Sequence, residues 1–287
     1  MRVILFVNSL VLCCCAIVTH SQQPSLYFQK LTTENGLSHN KINCILQDKR
    51  GFIWIGTDDG LNRYDGNKFI IYRNKPSDSS SLTGNIVSEI LEDSDGVLWI
   101  ATIDGGLAKY DYRLPPRQQF RQFRHSDIDS FSIPVNIVNG LLEDRRGYLW
   151  LATSGFGLLR FDKKRQRFDQ PVKDRARTVL DLAMDSHGVI WAGRQGGGLI
   201  KVDPETLFTE KDERYNNVYL KLPHMTVTSL FKDSRNDMWL GSWDKVVYRY
   251  EKGRGGSVYK VPLELDDGQT FAEDSKRRIW IGGKFNG

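Results

Sequence analysis

Short apolar runs separated by turns recur along this chain, and none of them keeps a helical period. The first run of each unit is Ile42-Asn43-Cys44-Ile45-Leu46, Ile86 to Leu91, Ile137 to Leu142, Val179 to Ala183 or Val227 to Phe231. A second run is centred on tryptophan, as in Ile53-Trp54-Ile55, Leu98-Trp99-Ile100 and Leu149-Trp150-Leu151. A third opens on Gly60-Leu61, Gly106-Leu107, Gly157-Leu158 or Gly198-Leu199 and closes on Arg63-Tyr64-Asp65, Lys109-Tyr110-Asp111, Arg160-Phe161-Asp162 or Lys201-Val202-Asp203. The fifth unit keeps only the tail, Arg249-Tyr250-Glu251. A fourth run includes Phe69 to Tyr72 and Phe120 to Phe123. Runs this short, bounded by turn residues, predict four strands per unit.

An aspartate stands six residues before each repeated tryptophan: Asp48/Trp54, Asp93/Trp99, Asp144/Trp150, Asp185/Trp191, Asp233/Trp239 and Asp274/Trp280. The Trp-to-Trp intervals of 45, 51, 41, 48 and 41 residues suit four-stranded propeller blades. The fold class is therefore all-β, an incomplete β-propeller of about five full blades and part of a sixth. Three residues before the tryptophan stands Gly51, Gly96, Gly147 or Gly188, replaced by Asn236 and Arg277 in the last two units. Glycine and asparagine tolerate positive φ and aspartate bonds turn amides, so this is a hairpin turn; Arg277 fits it less easily. Two residues after each tryptophan comes a small one, Gly56, Ala101, Ala152, Gly193, Gly241 or Gly282, which predicts close packing between neighbouring sheets.

Composition agrees with a large β structure: 287 residues, 26 glycines for tight turns and seven tryptophans. The formal charge of +5 is spread without a basic block, so no electrostatic footprint for nucleic acid is present. Met1-Arg2, the apolar run Val3 to Val18 and Thr19-His20-Ser21 have the pattern of a signal peptide, residues 1–21, cleaved after Ser21. The propeller then occupies residues 22–287. Cys13, Cys14 and Cys15 could suggest lipidation, but Leu12 is too large for a good lipobox. Cleavage leaves Cys44 alone in an apolar strand, as a buried structural thiol with no disulfide partner.

The pattern D-x-x-G-x-h-W-h-G-T followed by G-L-x-R-Y-D resembles the two-component regulator propeller repeat. Phe28-Gln29-Lys30-Leu31-Thr32-Thr33-Glu34-Asn35-Gly36-Leu37-Ser38 resembles the opening of the periplasmic sensor region of hybrid two-component systems. The resemblance runs from about Tyr27 to the last residue. It implies a Gram-negative periplasmic location and a role in sensing glycan breakdown products. It also implies a parent protein, anchored in the inner membrane, with two seven-bladed propellers, a β-sandwich, a membrane span, a histidine kinase, and receiver and DNA-binding regions. The partners so implied are an oligosaccharide, the further propeller and β-sandwich regions, and a homodimer of the full-length protein. Against that pattern, Ile279 to Gly287 stops inside the loop of the sixth unit, so the chain reads as a fragment without its kinase. Tyr27 to Leu31 is expected to supply the outer strand of a seventh blade.

Catalytic and metal chemistry find little support. The sialidase Asp-box places aspartate five residues before tryptophan with a hydroxyl residue next to it; here the separation is six and that neighbour is Ile, Leu or Met, so these aspartates read as turn braces. His39, His125, His187 and His224 are scattered without ligand spacing, so neither a metal nor a cofactor is expected. Gly193 to Gly198 lies between strands and opens no helix, which favours a hairpin loop over a phosphate cradle. Lys252 to Gly256 reads as a turn within the fifth blade.

Binding is the better prospect. The loops after each second strand gather on one face and supply Asp58, Asp59, Asp104, Phe156, Arg194, Gln195, Trp243, Asp244 and Lys245. The candidate ligand-binding residues are Trp243, Arg194, Gln195, Asp104 and Asp58, with no catalytic residue. Trp243 is the one tryptophan outside the repeated position; it either stacks on a sugar or fills the space left where Val246-Val247 replaces Gly-Leu. The leading function is a noncatalytic sensory ectodomain; a secreted propeller enzyme acting on glycans and a protein-interaction scaffold are the alternatives.

Overall fold

The computed structural model describes residues 29–172, 178–207, 225–251, 257–261 and 270–283. The chain divides into two compact units, Met1–Leu31 and Thr32–Gly287. In the first, the described residues 29–31 carry no strand or helix, so the strand expected over Tyr27 to Leu31 is not formed there. Tyr27 and Phe28, the segment 1–21 expected to be a signal peptide and the turn expected at Lys252 to Gly256 lie outside the described residues.

The second unit is a succession of antiparallel sheets. Blade one comprises β1 (Ile42–Gln47), β2 (Ile53–Thr57), β3 (Gly60–Tyr64) and β4 (Phe69–Tyr72); blade two comprises β5 (Val87–Glu92), β6 (Leu98–Thr102), β7 (Gly106–Tyr110) and β8 (Phe120–Phe123). Blade three has β9 (Val138–Glu143), β10 (Leu149–Thr153), β11 (Gly157–Asp162) and β12 (Arg167–Asp169), and blade four shows β13 (Val179–Met184), β14 (Ile190–Arg194) and β15 (Gly198–Val202). Blade five has β16 (Val227–Lys232), β17 (Met238–Ser242), β18 (Val247–Glu251) and β19 (Ser257–Val261), and the sixth sheet contains β20 (Thr270–Glu273) and β21 (Ile279–Gly282). The first strands β1, β5, β9, β13, β16 and β20 neighbour one another in chain order. The architecture is the β-propeller that the repeat pattern predicts.

The aspartate–tryptophan interval has a direct physical cause. In each unit one carboxylate oxygen accepts from turn amides, as Asp48 Oδ1 does from Arg50 N at 3.0 Å and Phe52 N at 2.9 Å. The other oxygen accepts the indole N–H of the tryptophan six residues on, at 2.8 Å for Trp54, Trp99 and Trp150, 3.2 Å for Trp191, 3.0 Å for Trp239 and 3.1 Å for Trp280. One side chain thus closes the turn and satisfies a buried donor that would otherwise cost about 1–3 kcal/mol. The residue three before the tryptophan has positive φ in all six turns, +91° at Gly51, +67° at Asn236 and +60° at Arg277 among them. Arg277 adopts the left-handed conformation despite its side chain, at a cost of roughly 1–2 kcal/mol.

The core lies between blades. Trp54, Trp99, Trp150, Trp191 and Trp239 are buried, whereas Trp280 in the two-stranded sheet is 51% exposed. Trp54 and Leu61 of blade one cluster with Val87, Ile90 and Leu98 of blade two, and the same arrangement recurs from blade two to blade five. The small residue after the tryptophan is required by this stacking. A Cβ on Gly56 would lie 2.6 Å from Val87 Cγ1, and one on Gly193 would lie 2.9 Å from Val227 Cγ1, both on the first strand of the next blade. On the other side of the indole the third strand places a cation near the ring: Arg160 at 5.8 Å from Trp150, Lys201 at 3.7 Å from Trp191 and Arg249 at 5.2 Å from Trp239. Polar staples then join blades. Asn43 Nδ2 donates to Val87 O, Ser88 Oγ to Val138 O and Asn139 Nδ2 to Val179 O, at 2.9, 2.6 and 2.7 Å.

Candidate functional site

Each second strand ends in a residue that closes the following loop. Thr57, Thr102 and Thr153 donate Oγ1–H to the carbonyls of Gly60, Gly106 and Gly157 at 3.0, 3.0 and 2.8 Å, and Ser242 does so to Val246 at 2.9 Å. Arg194 occupies this position in blade four, and its Nη2 turns back to the carbonyls of Gly197 and Leu199. Arg194 therefore braces its own loop. The position that corresponds to Trp243 is Gln195.

The next residue in each loop, Asp58, Ile103, Ser154, Gln195 or Trp243, forms the rim of this face. The amides of Ile103, Ser154, Gln195 and Trp243 donate to the carbonyls of Ile86, Ile137, Thr178 and Thr226, at 3.1, 3.2, 2.9 and 3.2 Å. These bonds fix the backbone and leave the side chains at the edge. Trp243 is 50% exposed, while Val247 is fully buried in the register that Leu61 and Leu107 occupy in other blades. The space left by the missing Gly-Leu is filled by Val247, and the indole of Trp243 stands at the surface. Asp58 accepts from Lys41 Nζ at 2.8 Å and from Asn43 Nδ2 at 2.9 Å; these two bonds, Lys41 first, hold its carboxyl below the usual range.

The remaining loop residues separate into two kinds. Asp104 accepts from the amides of Asn85 at 2.9 Å and Ile86 at 3.1 Å, and Asp59 forms a bidentate pair with Arg73. Phe156 packs partly buried against the core. Asp244 and Lys245 are exposed beside Trp243. Of the five candidate residues, the structure brings Asp58, Gln195 and Trp243 to equivalent positions of the rim, whereas Asp104 and Arg194 serve the scaffold.

Two interior carboxyls escape a reading of the sequence. Glu89 and Asp181 occupy the same register of β5 and β13, within Val87-Ser88-Glu89-Ile90 and Val179-Leu180-Asp181-Leu182. An acidic residue inside an apolar first strand is the signal that could have found them. Asp181 accepts from Leu182 N and, across the blade junction, from Leu230 N, both at 2.7 Å. Both groups keep some solvent contact yet lie deep among protein atoms. Burial pushes Asp181 up to about 7; burial, then the charge of Asp181, pushes Glu89 up to about 8. Burial and Glu89 likewise push the Cys44 thiol well up, which fits an unreactive structural cysteine.

The fold favours the neutral form of both acids, whereas the unfolded chain ionises them near pH 4. Their stabilisation is complete below that value and is lost as pH rises through about 7 and about 8. The thermal midpoint is expected to fall between about pH 4 and pH 8, and Glu89→Gln to flatten the decline. An identical slope in the variant would remove Glu89 from this account.

Residues 36–59, 81–104, 132–155 and 221–244 match the two component regulator propeller family. Each of the four segments begins shortly before a first strand and runs through the aspartate turn and the tryptophan to the rim loop. Four segments of the chain thus carry the two-component regulator propeller repeat. The fourth repeat, outside the matched segments, carries Arg194 in place of threonine.

A histidine kinase of Formosa agariphila, "Histidine kinase P4", is 47% identical over 64 residues, which cover 22% of this chain and 5% of that protein. The extracellular domain of the hybrid two component system BT4673 from B. thetaiotaomicron superposes with a TM-score of 0.66 at 20% identity, covering 86% of this chain and 33% of that one. A streptogramin B lyase superposes with a TM-score of 0.62 at 12% identity, covering 84% of this chain and 75% of that one. At these identities the two structural likenesses speak for the propeller repeat fold alone. The chain spans a small part of the kinase and a third of the BT4673 domain. Among the described residues no helix is long and apolar enough to cross a membrane.

Proposed function

We propose that this propeller is a noncatalytic ligand-sensing module of a two-component signalling protein, exported to the periplasm, and that its ligand is an oligosaccharide released from a glycan. The observation that carries the reading is the rim: an exposed indole, Trp243, in the loop position that Gln195 and Asp58 occupy in other blades. An aromatic face stacks on the apolar face of a sugar ring, while amide and carboxylate groups bond its hydroxyls. The described repeat aspartates are all engaged by turn amides and indole N–H groups, which argues against their use as general acids. The similar histidine kinase and hybrid two-component domain support the signalling context, and the kinase, β-sandwich and further propeller belong to the proposed parent.

Catalysis is the second reading. It is favoured by the raised carboxyls of Glu89 and Asp181, the kind of group that serves as a general acid near neutral pH, and a lyase shares the fold. Calorimetric titration of the protein with neutral oligosaccharides, followed by analysis of the sugars recovered, separates the two readings. Saturable binding with the sugars unchanged is expected, and Trp243→Ala should weaken it by about tenfold or more, the loss of one aromatic contact worth about 1–3 kcal/mol. Cleavage of the oligosaccharide would establish the enzyme instead, and full affinity in Trp243→Ala would remove the rim from ligand binding.

A further inference from the structure

The opposite face, formed by the turns that follow the first and third strands, holds a cavity of about 650 Å³ between blades two and three. A second cavity of about 190 Å³ lies between blades three and four. Arg145 and Arg146, in the turn between β9 and β10, line both, and the smaller one is also lined by the acidic residues Asp203 and Glu205. We propose that the larger cavity is a second binding site, for a ligand bearing two or more carboxylate or sulfate groups.

The charge balance of its walls carries the proposal. The larger cavity is lined by Lys109 of β7, by Lys163, Lys164 and Arg165 of the turn between β11 and β12, and by Arg145 and Arg146. The acidic groups there are already engaged. Asp93 takes the Trp99 indole at 2.8 Å and Lys163 Nζ at 2.9 Å. Asp162 takes the amides of Lys164 and Arg165 at 2.9 Å each, with Arg165 Nη1 at 3.5 Å. Lys163 is neutralised among Asp93, Asp95 and Glu143, and Arg145 donates to Ser186 O at 2.6 Å. Lys109, Arg146 and Lys164 form no ion pair among the described residues. Three positive charges from two blades therefore border one concave space without a fixed counter-ion.

The geometry suits anions of that kind. The Arg146 guanidinium lies 5.4 Å from the centre of the Tyr148 ring, which orients its plane, and a guanidinium edge matches carboxylate and sulfate oxygens in a two-pronged contact. Lysines on either side add point charges whose attraction is strengthened by a concave wall. The volume is that of a site for a small ligand. The inference rests on the proposed function only in taking a glycan as the carrier of the anionic groups.

The test is calorimetric titration at low salt with three probes: trigalacturonate, a sulfated chondroitin tetrasaccharide and neutral cellotetraose. Arg146→Glu/Lys164→Glu is compared with the unaltered protein; both side chains are exposed, and Arg146→Gln/Lys164→Gln serves where reversal disturbs folding. At least one acidic probe is expected to bind, with affinity reduced at least about tenfold in the altered protein and by added salt, as screening of surface charges requires. Preference for the uronate or the sulfated probe identifies the source of the anions. Failure of both acidic probes to bind, or binding unchanged in both double variants, overturns the groove. Loss of acidic-probe binding in Trp243→Ala alone also overturns it and assigns that ligand to the rim. Acidic binding at the groove with no neutral binding anywhere sinks the rim reading and leaves the groove standing.

Discussion

Trp99→Ala is expected to lower the stability of the propeller by about 3–5 kcal/mol, the range for truncating a buried large aromatic. The ring is 2% exposed and packs in the cluster that joins blades two and three, against Leu141, Leu149 and Leu151 of the following blade. Phe161 of blade three meets it edge-on at 5.5 Å, and Phe123 lies at 5.8 Å. Alanine there leaves a cavity at a blade junction and strips Asp93 of the indole N–H it accepts. Chemical denaturation measures the loss, with Trp243→Ala as the comparison, because that ring stands at the surface and its removal should change stability little. Equal midpoints for the two variants would contradict the assignment of the repeated tryptophans to the core.

The second large effect is expected at the aspartate. Asp93 accepts from Asp95 N, Val97 N, Trp99 Nε1 and Lys163 Nζ, at 3.0, 2.9, 2.8 and 2.9 Å. Burial alone would raise its carboxyl, but the Trp99 indole, the Val97 amide and Lys163 outweigh burial and hold it below the ordinary value. When asparagine replaces Asp93, the amide oxygen can keep the turn N–H groups while the NH2 group faces the indole and the ammonium, or the reverse. Either way a buried donor loses its acceptor, at about 1–3 kcal/mol, and Lys163, whose side chain is 14% exposed, loses a charged partner. Asp93→Asn is therefore expected to cost about 3 kcal/mol, measured by the same denaturation. A turn brace alone, the role legible in the sequence, would cost about 1 kcal/mol.

That difference shows where sequence reading stops. Strand positions follow from local alternation and turn chemistry, so β2, β6 and β10 are visible around their tryptophans, and the positive φ at Gly51 and Asn236 is implied by their residue types. The Asp–Trp interval is equally visible, but the bond behind it is hidden because it depends on how far the chain folds back after the turn. The loop-bracing bonds of Arg194 are hidden from the sequence for a related reason. Its role as the blade-four substitute for Thr57, Thr102 and Thr153 needs the register of β14 against β15, which pairs Arg194 with Gly198. Trp243 is singled out by its departure from the repeat, and the structure leaves it exposed. The larger cavity on the opposite face is out of reach, since Lys109, Arg146 and Lys164 come from three separate turns and strands and meet only when blades two and three stack.

The central claim is a division of labour, in which the repeated residues hold the propeller together and a residue outside the repeat recognises the ligand. It is tested most directly by measuring thermal midpoint and oligosaccharide affinity on the same preparations of Asp93→Asn and Trp243→Ala. The account predicts that Asp93→Asn lowers the midpoint and leaves affinity for a neutral oligosaccharide unchanged below that temperature, while Trp243→Ala weakens that binding by about tenfold or more at an unchanged midpoint. Abolished binding or lost chemistry in a fully stable Asp93→Asn protein would contradict it.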